Sequence, residues 1–264
     1  MIYVIGGNGF VGSAFVRLFE RKGIPHRVID RDTYHLFQGE PCDVLINANG
    51  NSKKFLADLH PVAEFDASVR SVLESLTSFK FGCYVYLSSG DVYPDQDHPA
   101  LTRESRPIEV ERQSRYGLHK YMAEQLVRRY ASSWWIMRMG GFVGPNLKKN
   151  AICDMLSGAP LWLTPDSELQ FIHADSAAEI VWELVRKQVP NEIVNLGASG
   201  VVNLGRLRSR LRSLSEFRDD ARKVRFELSL DKLSGLLGRA LPNSEQEVER
   251  FIIEWAISRG GRAS

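Results

Sequence analysis

The sequence predicts an α/β fold built on an open, doubly wound parallel sheet. Three observations predict it. Short β-rich runs alternate with stretches of helical periodicity through the first half. The first of these runs passes directly into a glycine-rich turn, Gly6-Gly7-Asn8-Gly9. An acidic residue, Asp30, closes the second run. Alternation in this order requires crossover helices, and so parallel βαβ units.

Ile2 to Ile5 reads as a buried strand. Val11 to Arg21 carries Val11, Phe15, Leu18 and Phe19 at helical spacing, and Gly23 ends that helix. His26 to Ile29 is a second strand and Val44 to Ile46 a third. A helix is expected over Val62 to Phe79, and a strand over Tyr84 to Leu87. Tyr116 to Tyr130 reads as a long helix, and Trp134 to Met137 as a strand. The pattern loosens after Gly144-Pro145. Ala151 to Leu156 and Val181 to Arg186 read as helices, Ile193 to Leu196 as a late strand, and the chain from Val201 onward as mainly helical. A nucleotide-binding lobe is expected over 1–145, with 170–197 folded back onto it. Segments 146–169 and 198–264 are left to form a small cap.

Composition excludes several classes. The chain has 264 residues, 44% hydrophobic and 10% aromatic, too apolar for disorder to be its main state. Its 34 basic and 32 acidic residues leave a net charge of +2, which gives no electrostatic ground for a nucleic-acid partner. No apolar run approaches the ~18 residues of a membrane span, and no secretory signal pattern opens the sequence. Cys42, Cys83 and Cys153 are odd in number and scattered, so neither a disulfide framework nor a metal site is expected. A reduced, cytoplasmic setting follows as the default.

The glycine turn is the first candidate site. Glycines permit a tight turn, let backbone amides approach a pyrophosphate, and allow close helix–strand packing. The next helix presents its positive end to the phosphates. Gly6, Gly9, Phe10, Val11 and Gly12 are the candidate residues of this cradle. Asp30 lies roughly 20 residues beyond it, where an acid accepts from the adenosine ribose hydroxyls. Such a carboxylate repels a 2′-phosphate, which favours NAD. Arg31 follows at once and leaves NADP open.

Tyr116 and Lys120 are four residues apart, on one face of a helix. A nearby ammonium stabilises a tyrosinate and lowers the phenol pKa, so the phenol can serve as general acid or base on a carbinol or ketone. The run from Tyr84 delivers Ser88 and Ser89 to a strand end, where ligands bind in open α/β sheets.

These segments together resemble the extended short-chain dehydrogenase/reductase family, the sugar-nucleotide epimerase/dehydratase group. Ile5 to Gly12 resembles its cofactor turn, Leu87 to Tyr93 its strand-end serine motif, and Tyr116 to Lys120 its Tyr-x-x-x-Lys. Arg138 to Pro145, Phe171 to Asp175 and Asn195 to Gly197 resemble later landmarks. The resemblance implies a Rossmann lobe with a small C-terminal substrate-binding cap. It also implies an NAD(P)-dependent oxidoreductase or epimerase acting on a nucleoside-diphosphate sugar. In it Tyr116 is the acid/base, Lys120 lowers its pKa and holds the nicotinamide ribose, and Ser89 holds the reacting oxygen. Asn47 and Ala48 lie by the cofactor, and the family habit implies a homodimer.

The sequence also departs from the family pattern. Ile5 replaces a frequent Thr, and Asn47 to Ser52 is unusually polar. Gly90-Asp91 stands where 4,6-dehydratases carry Asp-Glu, which argues against that elimination. Gly141 and Leu169 replace substrate-side residues. Asp91, Lys148 and Asn150 are candidate substrate contacts, each with a plain alternative as turn or solvated surface. The arginine run from Arg206 to Arg225 reads as solvated surface, His173 as structural, and the tryptophans as packing. Two other functions stay open: a reductase of a non-sugar carbonyl, and a non-catalytic NAD(P)-binding sensor or scaffold.

Overall fold

Apolar strand sequences pair because their backbones and both faces are buried together. In the computed structural model, which describes residues 1–50, 54–187 and 189–260, the first such strand is β1 (Ile2–Ile5), buried throughout. It is followed by α1 (Gly12–Arg21), β2 (His26–Ile29) and β3 (Pro41–Asn47). Next come α2 (Leu56–Leu59), α3 (Pro61–Phe65), a π turn over Asp66–Arg70 and α4 (Ser71–Ser78). Then follow β4 (Lys80–Ser89), α5 (Arg115–Tyr130), β5 (Trp134–Met139), β6 (Gly141–Val143), α6 (Ala151–Ser157), β7 (Leu161–Leu163), β8 (Glu168–Leu169) and β9 (Phe171–His173). The chain continues through α7 (Ala174–Arg186), β10 (Glu192–Leu196), β11 (Val202–Asn203) and α8 (Leu204–Leu211). It then runs through β12 (Phe217–Arg222), β13 (Arg225–Phe226), α9 (Asp231–Leu237) and α10 (Ser244–Gly260). Asn51 and Ser52 of the polar loop lie outside the described residues.

The main sheet has six strands in the order β10-β5-β4-β3-β1-β2, and the pairings from β5 to β2 are parallel. Register sets Ile5 opposite Asn47, and Ser89 opposite Met139, so the carboxyl ends of β1, β3, β4 and β5 lie along one edge. The core between sheet and helices holds Tyr3, Leu45, Tyr84, Ala123, Val127 and Ile136. The helix expected over Val62 to Phe79 is interrupted by the π turn. Such a turn inserts a residue and rotates the face that follows; here it buries Ser68 and Val69.

The chain divides into two units. The first comprises 1–94, 104–139 and 178–195, and the second 95–103, 140–177 and 196–264. This division differs from the boundaries expected from sequence. Segment 95–103 joins the second unit because Glu227 N donates to the Gln96 carbonyl at 2.8 Å and Ser229 N donates to Thr102 Oγ1 at 2.8 Å. Residues 140–145 and 170–177 join it because β6 pairs with β9 and Gly140 N donates to the Leu196 carbonyl.

The second unit also corrects the mainly helical reading beyond Val201. β11 pairs with β8, β13 with β8, and β12 runs parallel to β7. Phe217–Arg222 is almost wholly polar, and edge pairing rather than hydrophobic alternation makes it a strand. Its arginines are surface groups, as expected: Arg218 pairs with Asp220 at 2.7 Å, and Arg225 bridges Glu168 and Glu227. Trp162, expected in packing, is exposed, with the Arg218 guanidinium 3.9 Å from its ring centroid. His173 is fully buried. Its Nδ1 accepts from Asp175 N, and its Nε2 lies 2.9 Å from Glu254.

Candidate active site

The glycine turn closes only because its glycines lack side chains. Gly6 has φ +75°, and its N–H donates to the Ile29 carbonyl at 3.0 Å. A Cβ on Gly12 would sit 2.1 Å from the Gly6 carbonyl oxygen. Helix α1 can therefore start directly against the end of β1. Gly9 N donates to Gly6 O, and Phe10 and Val11 lead into the helix.

Beside this turn lies a cavity of about 790 Å³, lined by Gly6, Asp30, Arg31, Asn49, Gly50 and Glu64 among others. Asp30 Oδ1 accepts from Thr33 Oγ1 at 2.9 Å, Thr33 N at 3.0 Å and Asp32 N at 3.1 Å. The Thr33 hydroxyl and amide hold this carboxyl below its ordinary range, so it is an anion at neutral pH. Arg31 is exposed. A glycine cradle that side chains would fill, with a fixed carboxylate further along the cavity, fits an adenine dinucleotide. Asn47 is committed to the core instead: its Nδ2 donates to Tyr84 Oη at 2.7 Å and Ser75 Oγ at 3.2 Å. Ala48 N donates to Ile5 O at 3.0 Å, which ties the loop after β3 to the end of β1.

The first unit gathers Ser89, Asp91, Tyr116 and Lys120 at the end of β4. Ser89 Oγ donates to Asp91 Oδ2 at 2.7 Å, and Asp91 Oδ2 pairs with Lys54 Nζ at 2.6 Å. Helix α5 is capped by Ser114, whose Oγ accepts from Gly117 N at 3.0 Å. A Cβ on Gly117 would lie 2.1 Å from the Asp91 carbonyl oxygen. Glycine after Tyr116 thus lets the helix press onto the turn that carries Asp91. Tyr116 is 8% exposed and Lys120 4%. Lys120 Nζ donates to the Leu87 carbonyl at 3.2 Å and lies 5.1 Å from the Tyr86 ring centroid.

Electrostatics here differ from the sequence expectation of a phenol lowered by Lys120. Burial pushes the Tyr116 phenol well above its ordinary value, the Asp91 and Glu64 carboxylates add to that, and a hydrogen bond with Ser89 opposes it. Burial pushes Lys120 down to about 8, opposed by Glu64, Glu124 and Asp91. In the range from about 8 to the ordinary 10.5, the unfolded chain binds a proton the folded chain lacks. Stability therefore rises with pH through that range, and the penalty is full below it. Lys120→Met is expected to raise stability near neutral pH by on the order of 2 kcal/mol. Thermal melts of both proteins across pH should converge toward high pH; parallel curves would contradict the assignment.

Two residues near this site escaped the sequence reading. Glu124 is fully buried and accepts from Ser88 Oγ at 2.6 Å and Arg138 Nη2 at 2.7 Å. Glu64 is buried and faces His119. The four-residue steps Tyr116, Lys120, Glu124 were the available signal for the first. Asn150, a candidate substrate contact, is in the second unit and caps α6: its Oδ1 accepts from Cys153 N, and its Nδ2 donates to the Phe142 carbonyl. Lys148 is an exposed residue of that unit. Among the described residues no cluster of His, Cys, Asp and Glu could hold a metal ion. None of their helices is long and apolar enough to cross a membrane.

Comparison with known proteins bears on the fold. A UDP-galactose 4-epimerase structure is similar with a TM-score of 0.78 and 22% identity, covering 97% of this chain and 99% of that one. MoeE5 in complex with UDP-glucose and NAD is similar at 0.81 and 16%, covering 98% and 99%. A dTDP-4-dehydrorhamnose reductase from Bacillus anthracis in complex with NADP is similar at 0.76 and 15%, covering 96% and 97%. At these identities the likeness carries the fold. No curated protein matches. The NAD dependent epimerase/dehydratase family model matches residues 2–197, from β1 through the last strand of the main sheet. With nearly three quarters of its length in that match, the chain belongs to the NAD dependent epimerase/dehydratase family, and a nicotinamide dinucleotide is its cofactor.

Proposed function

We propose that the chain interconverts a secondary alcohol and its ketone on the hexose of a nucleoside-diphosphate sugar, as an epimerase or a ketoreductase. The observation that carries this reading is the buried grouping of Ser89, Tyr116 and Lys120 at the carboxyl end of β4. A bound nicotinamide supplies the hydride acceptor and donor. The chain's own groups handle the proton and the reacting oxygen. Tyr116 holds its proton at neutral pH, so it can donate to a carbonyl oxygen, and the reverse reaction returns the proton to it. Ser89 Oγ donates to Asp91 Oδ2 and accepts from Asp91 N at 3.2 Å, and a hydroxyl oxygen with two lone pairs keeps one for an incoming hydroxyl. Lys120 supplies positive charge within the same buried pocket.

Asp30 supports NAD over NADP, because a fixed anion repels a 2′-phosphate. Gly90 in place of a carboxylate after Ser89 speaks against 4,6-dehydration. Exposed Leu59, Val62, Phe65 and Met122 on α2, α3 and α5 support a homodimer through these helices. Sedimentation should show a dimer at micromolar concentration, and a monomer alone would refute that part. All three cysteines are free thiols, in keeping with a cytoplasmic setting.

A panel of UDP-, GDP- and dTDP-hexoses, each with NAD(H) and NADP(H), tests the reading by product NMR. An epimer formed without net change in nicotinamide absorbance identifies an epimerase, and stoichiometric consumption identifies a reductase. Cofactor binding with no turnover of any sugar would overturn the substrate assignment.

A further inference from the structure

The Ser89 hydroxyl is held by an ion pair that reaches it from a distant segment of the chain. Its Oγ donates to Asp91 Oδ2 at 2.7 Å and accepts from Asp91 N at 3.2 Å. An ionised carboxylate only accepts, so the direction of the first bond is fixed. The second bond occupies one of the two oxygen lone pairs. A single lone pair is left for the reacting side of the site.

Asp91 is itself fixed from two directions. Its backbone carbonyl lies against Gly117 of α5. Its carboxylate takes Lys54 Nζ on both oxygens, Oδ1 at 2.8 Å and Oδ2 at 2.6 Å. Lys54 shortly precedes α2, and Asp58 of α2 accepts from Arg115 Nη1, at the start of α5, at 3.1 Å. Two ion pairs thus hold this segment against the turn that carries Asp91 and the helix that carries Tyr116. The Lys54 side chain is 59% exposed and that of Asp91 17%. An ion pair so open to water adds little to stability. Its consequence is directional: it orients the carboxylate that receives the Ser89 proton.

We propose that Lys54 is a positioning residue, which orients Asp91 so that Ser89 turns its proton away from the reacting oxygen and serves the substrate hydroxyl as an acceptor. Without Lys54 the carboxylate turns to water, and the Ser89 hydroxyl samples orientations that point its proton into the site. The consequence for turnover rests on the catalytic reading of Ser89 above; the placement of the Ser89 proton does not.

The test is a double-mutant cycle on the sugar nucleotide that the panel identifies. Lys54→Met and Asp91→Ala should each lower kcat about tenfold, with KM and melting temperature nearly unchanged. The double variant should lose no more than Asp91→Ala alone, because Lys54 acts through Asp91. Lys54→Arg keeps the charge and should retain most of the turnover. Losses that multiply in the double variant, or a wild-type kcat in Lys54→Met, would overturn the proposal.

Crystal structures with NAD bound give a readout that needs no sugar. Asp91 should be hydrogen-bonded to Ser89 Oγ in wild type and turned from it in Lys54→Met. An Asp91 that stays on Ser89 without Lys54 would overturn the proposal. A turned Asp91 in a protein that converts no sugar would refute the substrate reading alone. An unmoved Asp91 in a fully active Lys54→Met would refute this inference alone.

Discussion

Tyr116→Phe is expected to lower turnover about 10²–10⁴-fold while leaving fold and cofactor affinity intact. The ring fills the same buried site, so packing is retained. What is lost is the Tyr116 hydroxyl, which hydrogen-bonds with Ser89. KM should change little, because the phenol's contribution is to proton transfer rather than to ground-state binding. Steady-state kinetics with a turned-over sugar, beside calorimetric titration of the cofactor, make the comparison. Undiminished turnover in a folded Tyr116→Phe protein would remove Tyr116 from the reaction.

The second large effect falls on stability. Glu124 and Arg138 are an ion pair inside the first unit, at 0% and 2% exposure, with two guanidinium–carboxylate hydrogen bonds and a third from Ser88. Glu124→Ala leaves a buried guanidinium with no carboxylate, at an expected cost of about 3–5 kcal/mol. For a chain of this size that lowers Tm by roughly 10 °C. Replacing both residues by apolar ones of similar volume, Glu124→Leu with Arg138→Met, should recover most of the loss. A double variant no better than Glu124→Ala would show that packing at Arg138, rather than its unpaired charge, sets the penalty. Ser88 shares this network, which separates the roles of the two serines: Ser88 secures α5 to β4, and Ser89 faces the site.

The sequence disclosed the parts of the fold that local physics controls. Runs such as Ile2–Ile5 and Tyr84–Leu87 are apolar on both faces because helices cover both sides of the sheet. The tight turn at Gly6 and Gly12 is visible because no other residue fits the approach. Tyr116 and Lys120 are visible through helical spacing.

Glu64 was hidden because its position in Pro61–Phe65 looks like an ordinary acidic residue on a solvated helix face. Only the tertiary approach of α5, with His119, turns it inward. The π turn at Asp66–Arg70 has no composition of its own and shifts the helix face without a break in periodicity. Phe217–Arg222 lacked alternation because it pairs at an edge, where polar side chains stay in water. Segment 95–103 left the first unit through hydrogen bonds from the Glu227 and Ser229 amides, partners far along the chain that no local pattern announces.

The central claim is that Tyr116 moves a proton while a sugar carbon exchanges oxidation state with the nicotinamide. The most direct measurement is product NMR with nicotinamide absorbance on the nucleotide-sugar panel, run in parallel with wild type and a folded, cofactor-binding Tyr116→Phe. The account predicts a new sugar product from wild type and its near disappearance in the variant. Equal product from both proteins, or none from wild type with cofactor bound, would contradict it.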